Sequence, residues 1–488
     1  MRMFVDGKWV DSVTGDTTSI FNPATGDVVD SVPVGNREDA KAAIDVAKDR
    51  LQKWSALPPI ERSRLLYRVS EAIRSNVEEL AQSLTKEQGK PLYEARSEVM
   101  GFVGCLEYYA GLTGRFRSAQ VPFTSGEGYS TVTKKPVGVV GAIVPWNFPV
   151  SLLGWKLSPG LAAGNTFVIK PASTTPLTDL RLVEVMTKAG LPPGVLNVVT
   201  GPGSVVGEEL LENPKISKIA FTGETGTGRR IMGQAALTMK RVTLELGGSD
   251  PMIVCDDADI DMAVEGAVFG RFRNAGQICT SVKRLFLFQS ISGDFIKKFV
   301  EKVKLIRVGN GLDPHTIMGP VHSEQQRHEI EQMVEEATDR GAKVLTGGKS
   351  PSGAEFDKGH FYEPTLLTDV DYNSRISREE CFGPALPIFV VKDLEEAIER
   401  ANDSMYGLGS SVWTKDLDRA QFASEMIEAG TTWINSPPIS RPEVPFGGFK
   451  QSGIGRELGV EGLEYYYETK TTQVYEYSKG KKWRYPEN

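Results

Sequence analysis

Little in this 488-residue chain is suited to cross-linking or to holding a metal, for it has four cysteines and four histidines. Cys105, Cys255, Cys279 and Cys381 are widely scattered, with no C-x-x-C pair and no short spacing to a histidine. A disulfide framework and a zinc site are therefore not expected, and a reducing cytoplasm fits this usage. Basic charge is not in excess either. Lys and Arg number 56 against 63 Asp and Glu, a net charge of −7, whereas a nucleic-acid surface needs clustered cations to displace counterions. Long apolar runs are missing too: residues 137–155 are almost free of charge, but Pro145, Asn147 and Pro149 divide them into a strand, a turn and a helix. No membrane span is expected there. The first eight residues carry charges where a signal peptide needs an apolar core. Internal repeats and low-complexity stretches are absent as well.

What is present is an ordinary globular composition, 40% hydrophobic and 24% charged, long enough for roughly three domains. The first 35 residues read as short strands and hairpins, with a turn at Asn22-Pro23-Ala24-Thr25-Gly26. Asn36 is placed to cap a helix whose apolar face runs through Ala40, Ala43, Ile44, Ala47, Leu51 and Trp54. Helical stretches over 59–87, with a break near Asn76, and over 91–112 follow. From Gly138 the pattern becomes an alternation: β-branched runs at 138–144, 166–169, 196–200, 217–222 and 240–246, separated by helical segments. Short parallel-type strands spaced by helices imply right-handed βαβ units and a doubly wound sheet. A second alternation after Gly248 has strand-like runs at 251–254, 284–288, 343–346, 387–391 and 431–434, predicting a second α/β domain. A Gly- and Pro-rich loop at 436–455 precedes a polar, aromatic tail over 465–485. Its strand-like alternation (Thr472, Val474, Glu476) has no core of its own and must pair with another element.

The chemistry centres on Arg273-Asn274-Ala275-Gly276-Gln277-Ile278-Cys279. A cysteine buried for packing usually lies in an apolar run, as Cys255 does, whereas Cys279 is bracketed by Gly276, Gln277 and Thr280. That setting suits a thiolate nucleophile, which also needs an oxyanion partner and a base. Glu245, in Leu244-Glu245-Leu246-Gly247-Gly248, is the candidate base; a solvated strand end is the alternative. Asn147, between Pro145-Trp146 and Phe148-Pro149 at the carboxyl end of the first strand of the alternation, offers an amide where open sheets keep their sites. A Cys-His hydrolase is the rival arrangement, but His315, His322, His328 and His360 lie in polar segments expected to be exposed. Thr222-Gly223-Glu224-Thr225-Gly226-Thr227-Gly228 follows a strand and opens a helix, a setting that suits a pyrophosphate as well as it suits a plain βα turn.

These motifs, in this order and over residues 3–480 or so, resemble those of the aldehyde dehydrogenase superfamily. The resemblance implies an α/β fold of two doubly wound open-sheet domains plus a small β oligomerisation arm. The coenzyme-binding domain would comprise 1–114 and 138–247, the catalytic domain 248–450, and the arm and tail 115–137 and 462–488, giving a homodimer or homotetramer. It implies that Cys279 attacks an aldehyde to give a thiohemiacetal, that Asn147 and the Cys279 amide hold the oxyanion, and that Glu245 activates water to release a free acid. The acylating branch typically lacks that base. Trp146, Lys170, Ser173, Gly203, Thr222, Gly223, Gly228, Leu246, Glu380 and Phe382 fall on the family's coenzyme positions. Ser173 stands where NAD-preferring members commonly carry a glutamate, so NADP is expected ahead of NAD, although Glu224 brings a carboxylate to the pyrophosphate turn. Phe272-Arg273-Asn274 is similar to the succinate-semialdehyde dehydrogenases, whose arginine there holds a substrate carboxylate, and Ser440 matches their other substrate position. Their second arginine is Trp155 here, so either Arg441 replaces it or the aldehyde is aromatic or aliphatic and packs on Trp155 and Phe446. Two other readings remain at this point: a thiol esterase working without nicotinamide, and a non-catalytic protein on the same fold.

Overall fold

Asn36 does start a helix. Its side chain accepts from Glu38 N and Asp39 N, Asp39 accepts from Asn36 N in return, and Arg37–Ala56 buries Ala40, Ala43, Ile44, Ala47 and Trp54. The stretch over 59–87 breaks at Asn76 into Pro59–Ser75 and Val77–Gln88, and Leu92–Leu112 follows. These elements belong to a computed structural model that describes residues 1–115 and 118–475. The tail from Glu476 onward, including the alternation expected at Glu476, lies outside the described residues.

The first alternation forms the parallel centre of an eight-stranded sheet. In spatial order its parallel strands are Leu196–Val198, Thr166–Lys170, Val139–Ile143, Ile216–Thr222 and Arg241–Glu245. The N-terminal hairpin Met3–Val5 and Lys8–Val10 extends one edge, and Gly453–Ile454 pairs antiparallel with Arg241–Glu245 at the other. Chain order reverses between Val139–Ile143 and Ile216–Thr222. A crevice therefore opens at their carboxyl ends, because the crossover helices on either side leave in opposite directions.

The second alternation forms a seven-stranded sheet, parallel except for the edge strand Lys343–Thr346. Two of its strands, Thr365–Thr368 and Gly409–Trp413, are absent from the sequence-based expectation. Gly409-Ser410-Ser411-Val412-Trp413 is fully buried yet nearly half polar, its Ser410 hydroxyl satisfied at 2.9 Å by Thr432 on the next strand. Each sheet has its own buried apolar cluster. The tail strand Tyr467–Tyr475 pairs along its whole length with Gly128–Pro136, which in turn pairs with Ala119–Pro122. Among the described residues no helix is long and apolar enough to cross a membrane.

Asn36→Ala removes the cap of Arg37–Ala56 while leaving its buried face intact. The expected loss is about 1 kcal/mol of unfolding free energy, with no change in the slope of urea unfolding. An unchanged midpoint would show that tertiary packing alone holds the helix start.

Candidate active site

Cys279 is positioned by a strained turn. The helix Ile260–Phe272 stops, and Asn274, Ala275 and Gly276 follow with φ of 49°, 53° and 72°. Left-handed backbone is unfavourable for the first two, so contacts must hold it. Gln88 Nε2 donates to Asn274 Oδ1 at 3.0 Å, Asn274 N donates to Glu94 Oε2 at 3.0 Å, and Asn274 Nδ2 donates to Asn147 O at 3.1 Å. Gly276 cannot be larger, because a Cβ there would collide with Gly383 O. Asn147 Nδ2 donates to Gln277 O at 3.0 Å, tying the amide to the backbone two residues before the thiol.

Two cavities meet at this point, of about 570 Å³ and about 390 Å³. Asn147, Leu152 and Cys279 belong to the walls of both. The larger cavity runs along the crevice of the first sheet and is lined by Trp146, Thr222, Gly223, Leu246, Glu380 and Phe382. The smaller is lined on its apolar side by Phe148, Trp155, Phe269 and Phe446, with Arg273 and Ser440 adding polar groups. Six of the ten residues expected to touch coenzyme thus line one cavity and the four expected to touch substrate line the other, with the thiol in the wall of both. Burial pushes the Cys279 thiol up to about 12, with Lys283 pulling the other way.

Glu245 is the last residue of its strand and is 3% exposed, behind the cavity walls. Neither carboxylate oxygen has a hydrogen-bond partner. Burial raises its pKa well above the ordinary carboxylate range, and the neighbouring Glu457 charge adds to the rise. Glu457 is held by Lys156, whose Nζ donates to Glu457 Oε1 and to Thr222 Oγ1, both at 2.6 Å. Sequence reasoning passed over Lys156 and Glu457. The available signal was Lys156 itself, a lone charge in the apolar helix Pro149–Ala163.

A thiol lodged between an elongated crevice and an aromatic pocket is in keeping with the families of protein that this chain resembles. The model of the aldehyde dehydrogenase family matches residues 9–472. The chain belongs to that family. It is 40% identical to a betaine aldehyde dehydrogenase of Bacillus subtilis and 41% identical to an NADP-type succinate-semialdehyde dehydrogenase of Escherichia coli, each over 96% of both chains. A betaine aldehyde dehydrogenase of Staphylococcus aureus solved with NAD+ superposes with a TM-score of 0.95 at 38% identity, over 97% of this chain and 95% of that one. This aldehyde dehydrogenase is therefore an NAD(P)-dependent oxidoreductase, and the readings as a thiol esterase or a non-catalytic protein are set aside.

The dehydrogenase's larger cavity fits the dinucleotide on its own features. It reaches the N-terminus of the Thr225–Ala236 helix, where first-turn N–H groups have no helical partner and Thr225 Oγ1 is buried with none. Gly228 lets that helix close on the sheet, because a Cβ would collide with the Leu246 side chain. Glu224 lines this cavity but is exposed, which relieves its conflict with a phosphate. Lys170 ends its strand with Nζ donating to Pro171 O at 2.8 Å, and burial lowers its pKa to about 8. Ser173 is exposed and donates to Gly201 O at 3.2 Å, two residues from Gly203. Lys170, Ser173, Gly203 and Gly228 are not in the wall of the larger cavity.

One expectation changes. His322 is not an exposed polar residue: its ring stacks on Trp146 with centroids 4.3 Å apart, Nε2 lies 2.7 Å from Thr174 Oγ1, and burial holds its pKa down at about 4. The polar run around it concealed a ring packed inward. Arg441, the other arginine considered for a substrate carboxylate, lines a neighbouring cavity of about 270 Å³ that shares Ser440 and Phe446 with the Cys279 pocket, but is absent from the wall of that pocket itself. Arg273 caps its helix end and also lines the pocket, its guanidinium 5.5 Å and 5.0 Å from the Phe148 and Phe269 ring centres. Glu94 lines the same pocket, and the Arg273 charge opposes the rise that burial imposes on its carboxyl.

Burial raises the Asp250 carboxyl, beside Lys283, from 3.8 to about 8. Folding therefore takes up a proton at this group, and its contribution to stability is complete below the unfolded value and lost as pH rises through about 8. Asp250→Asn should flatten the fall of the melting temperature between about pH 5 and pH 8.5. An equally steep fall in the variant would show that other groups carry it.

Proposed function

We propose that this enzyme oxidises a small aldehyde bearing a carboxylate to the free acid, with NADP preferred over NAD. The observation that carries the reading is the placement of Cys279 and Asn147 in the shared wall of two cavities, one polar and sheet-bound, the other aromatic. The aldehyde enters the smaller cavity, and Arg273, half-buried against the Phe148 and Phe269 rings and sharing the pocket with Glu94, whose ionisation burial disfavours, receives its carboxylate. Cys279 Sγ adds to the carbonyl to give a thiohemiacetal. The developing oxyanion is met by the Asn147 amide, which exchanges its bond to Gln277 O for the new charge, and by the Cys279 N–H. Bound nicotinamide dinucleotide supplies the hydride acceptor. Glu245 then takes a proton from the water that cleaves the thioester; its raised pKa makes it a stronger base than an exposed carboxylate. The adjoining Glu457–Lys156 pair gives that proton somewhere to go.

Further elements of the reading are residues 1–114 and 138–247 as the coenzyme domain, 248–450 as the catalytic domain, and the segments 115–137 and 462–488 as the contact of a homodimer or homotetramer. Ser173 presents a hydroxyl where a carboxylate would repel a 2′-phosphate, with Lys170 close by to gain charge as a phosphate arrives.

The test is spectroscopic detection of reduced coenzyme with succinate semialdehyde, glyceraldehyde, benzaldehyde and short alkanals, each with NADP and NAD. The expected best pair is succinate semialdehyde with NADP, with turnover abolished and coenzyme binding kept in Cys279→Ala. A faster neutral aldehyde would remove Arg273 from the substrate site, and residual turnover in the variant would remove Cys279 as nucleophile. Separately, Ser173→Glu should move the preference toward NAD; an unchanged ratio would mean that the 2′-phosphate lies elsewhere.

A further inference from the structure

Four residues beyond the nucleophile, Lys283 lies in the strand Val282–Phe288 with its side chain 0% exposed. Its Nζ donates to Ile278 O at 2.9 Å and to Cys279 O at 2.6 Å, lies 3.1 Å from Glu380 Oε1, and sits 5.8 Å from the Phe382 ring centre. Glu380 Oε1 also accepts from Gly248 N at 3.1 Å. Its side chain is 19% exposed and lines the coenzyme cavity, with Oε2 over Gly247. One buried cation therefore grips the backbone of the catalytic thiol and is neutralised by a carboxylate that faces the other cavity.

We propose that Lys283 is a positioning residue that couples occupancy of the coenzyme cavity to ionisation of the Cys279 thiol. The inference rests on the reading of Cys279 and Glu380 given above.

The charges facing the thiol are few. Lys283 favours the thiolate; Asp250, Glu380 and Glu245 oppose it. Burial raises the Asp250 carboxyl to about 8, which weakens its charge near neutral pH, and Glu380, 3.1 Å from Nζ, is the carboxylate in direct contact with Lys283. Arg284, next along the strand, is committed elsewhere, donating to Ser249 O, Arg400 O and Ala401 O. When ribose hydroxyls donate to Glu380, its carboxylate is shared with them and the field of Lys283 at Cys279 is less compensated. A change of that kind a few ångströms away moves a pKa by ~1–3 units. The proton leaves to solvent. In the coenzyme-free enzyme Lys283 and Glu380 quench each other and the thiol stays protonated, which protects it from oxidants and electrophiles until a hydride acceptor is in place.

The experiment is alkylation of Cys279 by iodoacetamide, followed on the Cys279 peptide by mass spectrometry across a pH series, with and without NADP. The reagent reaches the thiol from the substrate cavity, so bound coenzyme does not block it. In the wild type NADP should raise the neutral-pH rate ~10-fold or more, the response to a shift of at least one unit. Lys283→Met should lose that rise while still binding NADP by tryptophan fluorescence, and Lys283→Arg should keep it. Glu380→Gln, with no coenzyme added, should already react at the rate of the wild type with NADP. A rise retained in Lys283→Met, or a resting rate unchanged in Glu380→Gln, overturns the proposal. Should Lys283→Met not fold, Glu380→Gln decides. Should neither NADP nor NAD bind the wild type, the functional reading fails, and Glu380→Gln still tests the coupling between the two side chains.

Discussion

Asn274 holds the active site together, because three separate parts of the chain reach it. Gln88 at the end of one helix, Glu94 at the start of the next and Asn147 after the first parallel strand all bond to one residue in left-handed backbone. Lys90 joins the same web, donating to Asn147 O at 2.8 Å and pairing with Glu98. Glu98 in turn accepts from Val150 N and Ser151 N, capping the helix that follows Asn147. A buried lysine or glutamate is costly alone and tolerable when every donor and acceptor is matched. The web turns an unfavourable turn into a fixed one, and the Cys279 thiol and the Asn147 amide are registered against each other as a result.

A different economy operates around Glu245. Its oxygens have no hydrogen-bond partner in the protein, next to a second carboxylate whose Oε1 is held by Lys156. Leaving one acid unsatisfied costs stability, and the return is a group able to bind a water and take its proton. Structure-holding acids such as Glu98 and the proposed base are chemically identical; the number of N–H groups aimed at each tells them apart.

Much of this was legible in the sequence where period and spacing report directly on backbone geometry. The βαβ alternation after Gly138, the Asn36 cap and the need of the tail for a partner strand are local patterns, and each is present in the fold. Gly409–Trp413 was illegible because its two serines break the apolar run that marks a strand buried on both faces, and only the pairing of Ser410 with Thr432 on the next strand shows how one of them is accommodated. At the site, Asn147 and Cys279 could be named from their surroundings, and the two cavities that share them were not visible in one dimension. His322 was misjudged because its neighbours in sequence are polar while its neighbour in space is Trp146. Lys156, Glu457 and Lys283 were missed for a related reason. A lone charge has no period, and its meaning lies in partners distant in the chain, as with Lys156 and Glu457, 301 residues apart.

The pairing of Tyr467–Tyr475 with Gly128–Pro136 bears on how the chain folds during synthesis. Thr133 and Lys470 are separated by 337 positions, so at ~5–20 residues per second the earlier strand waits on the order of 20–70 s for its mate. Through that interval the Ala119–Pro122 and Gly128–Pro136 hairpin has an open edge, the kind that recruits strands from other nascent chains. Lys134 and Lys135 sit on that waiting strand, and charge on an edge is a known deterrent to such capture. Tyr467–Tyr475, which follows every strand of the two large sheets among the described residues, thus acts as a timer: the edge is sealed only after both sheets have had those strands, and a polypeptide released earlier keeps it exposed to chaperones and proteases.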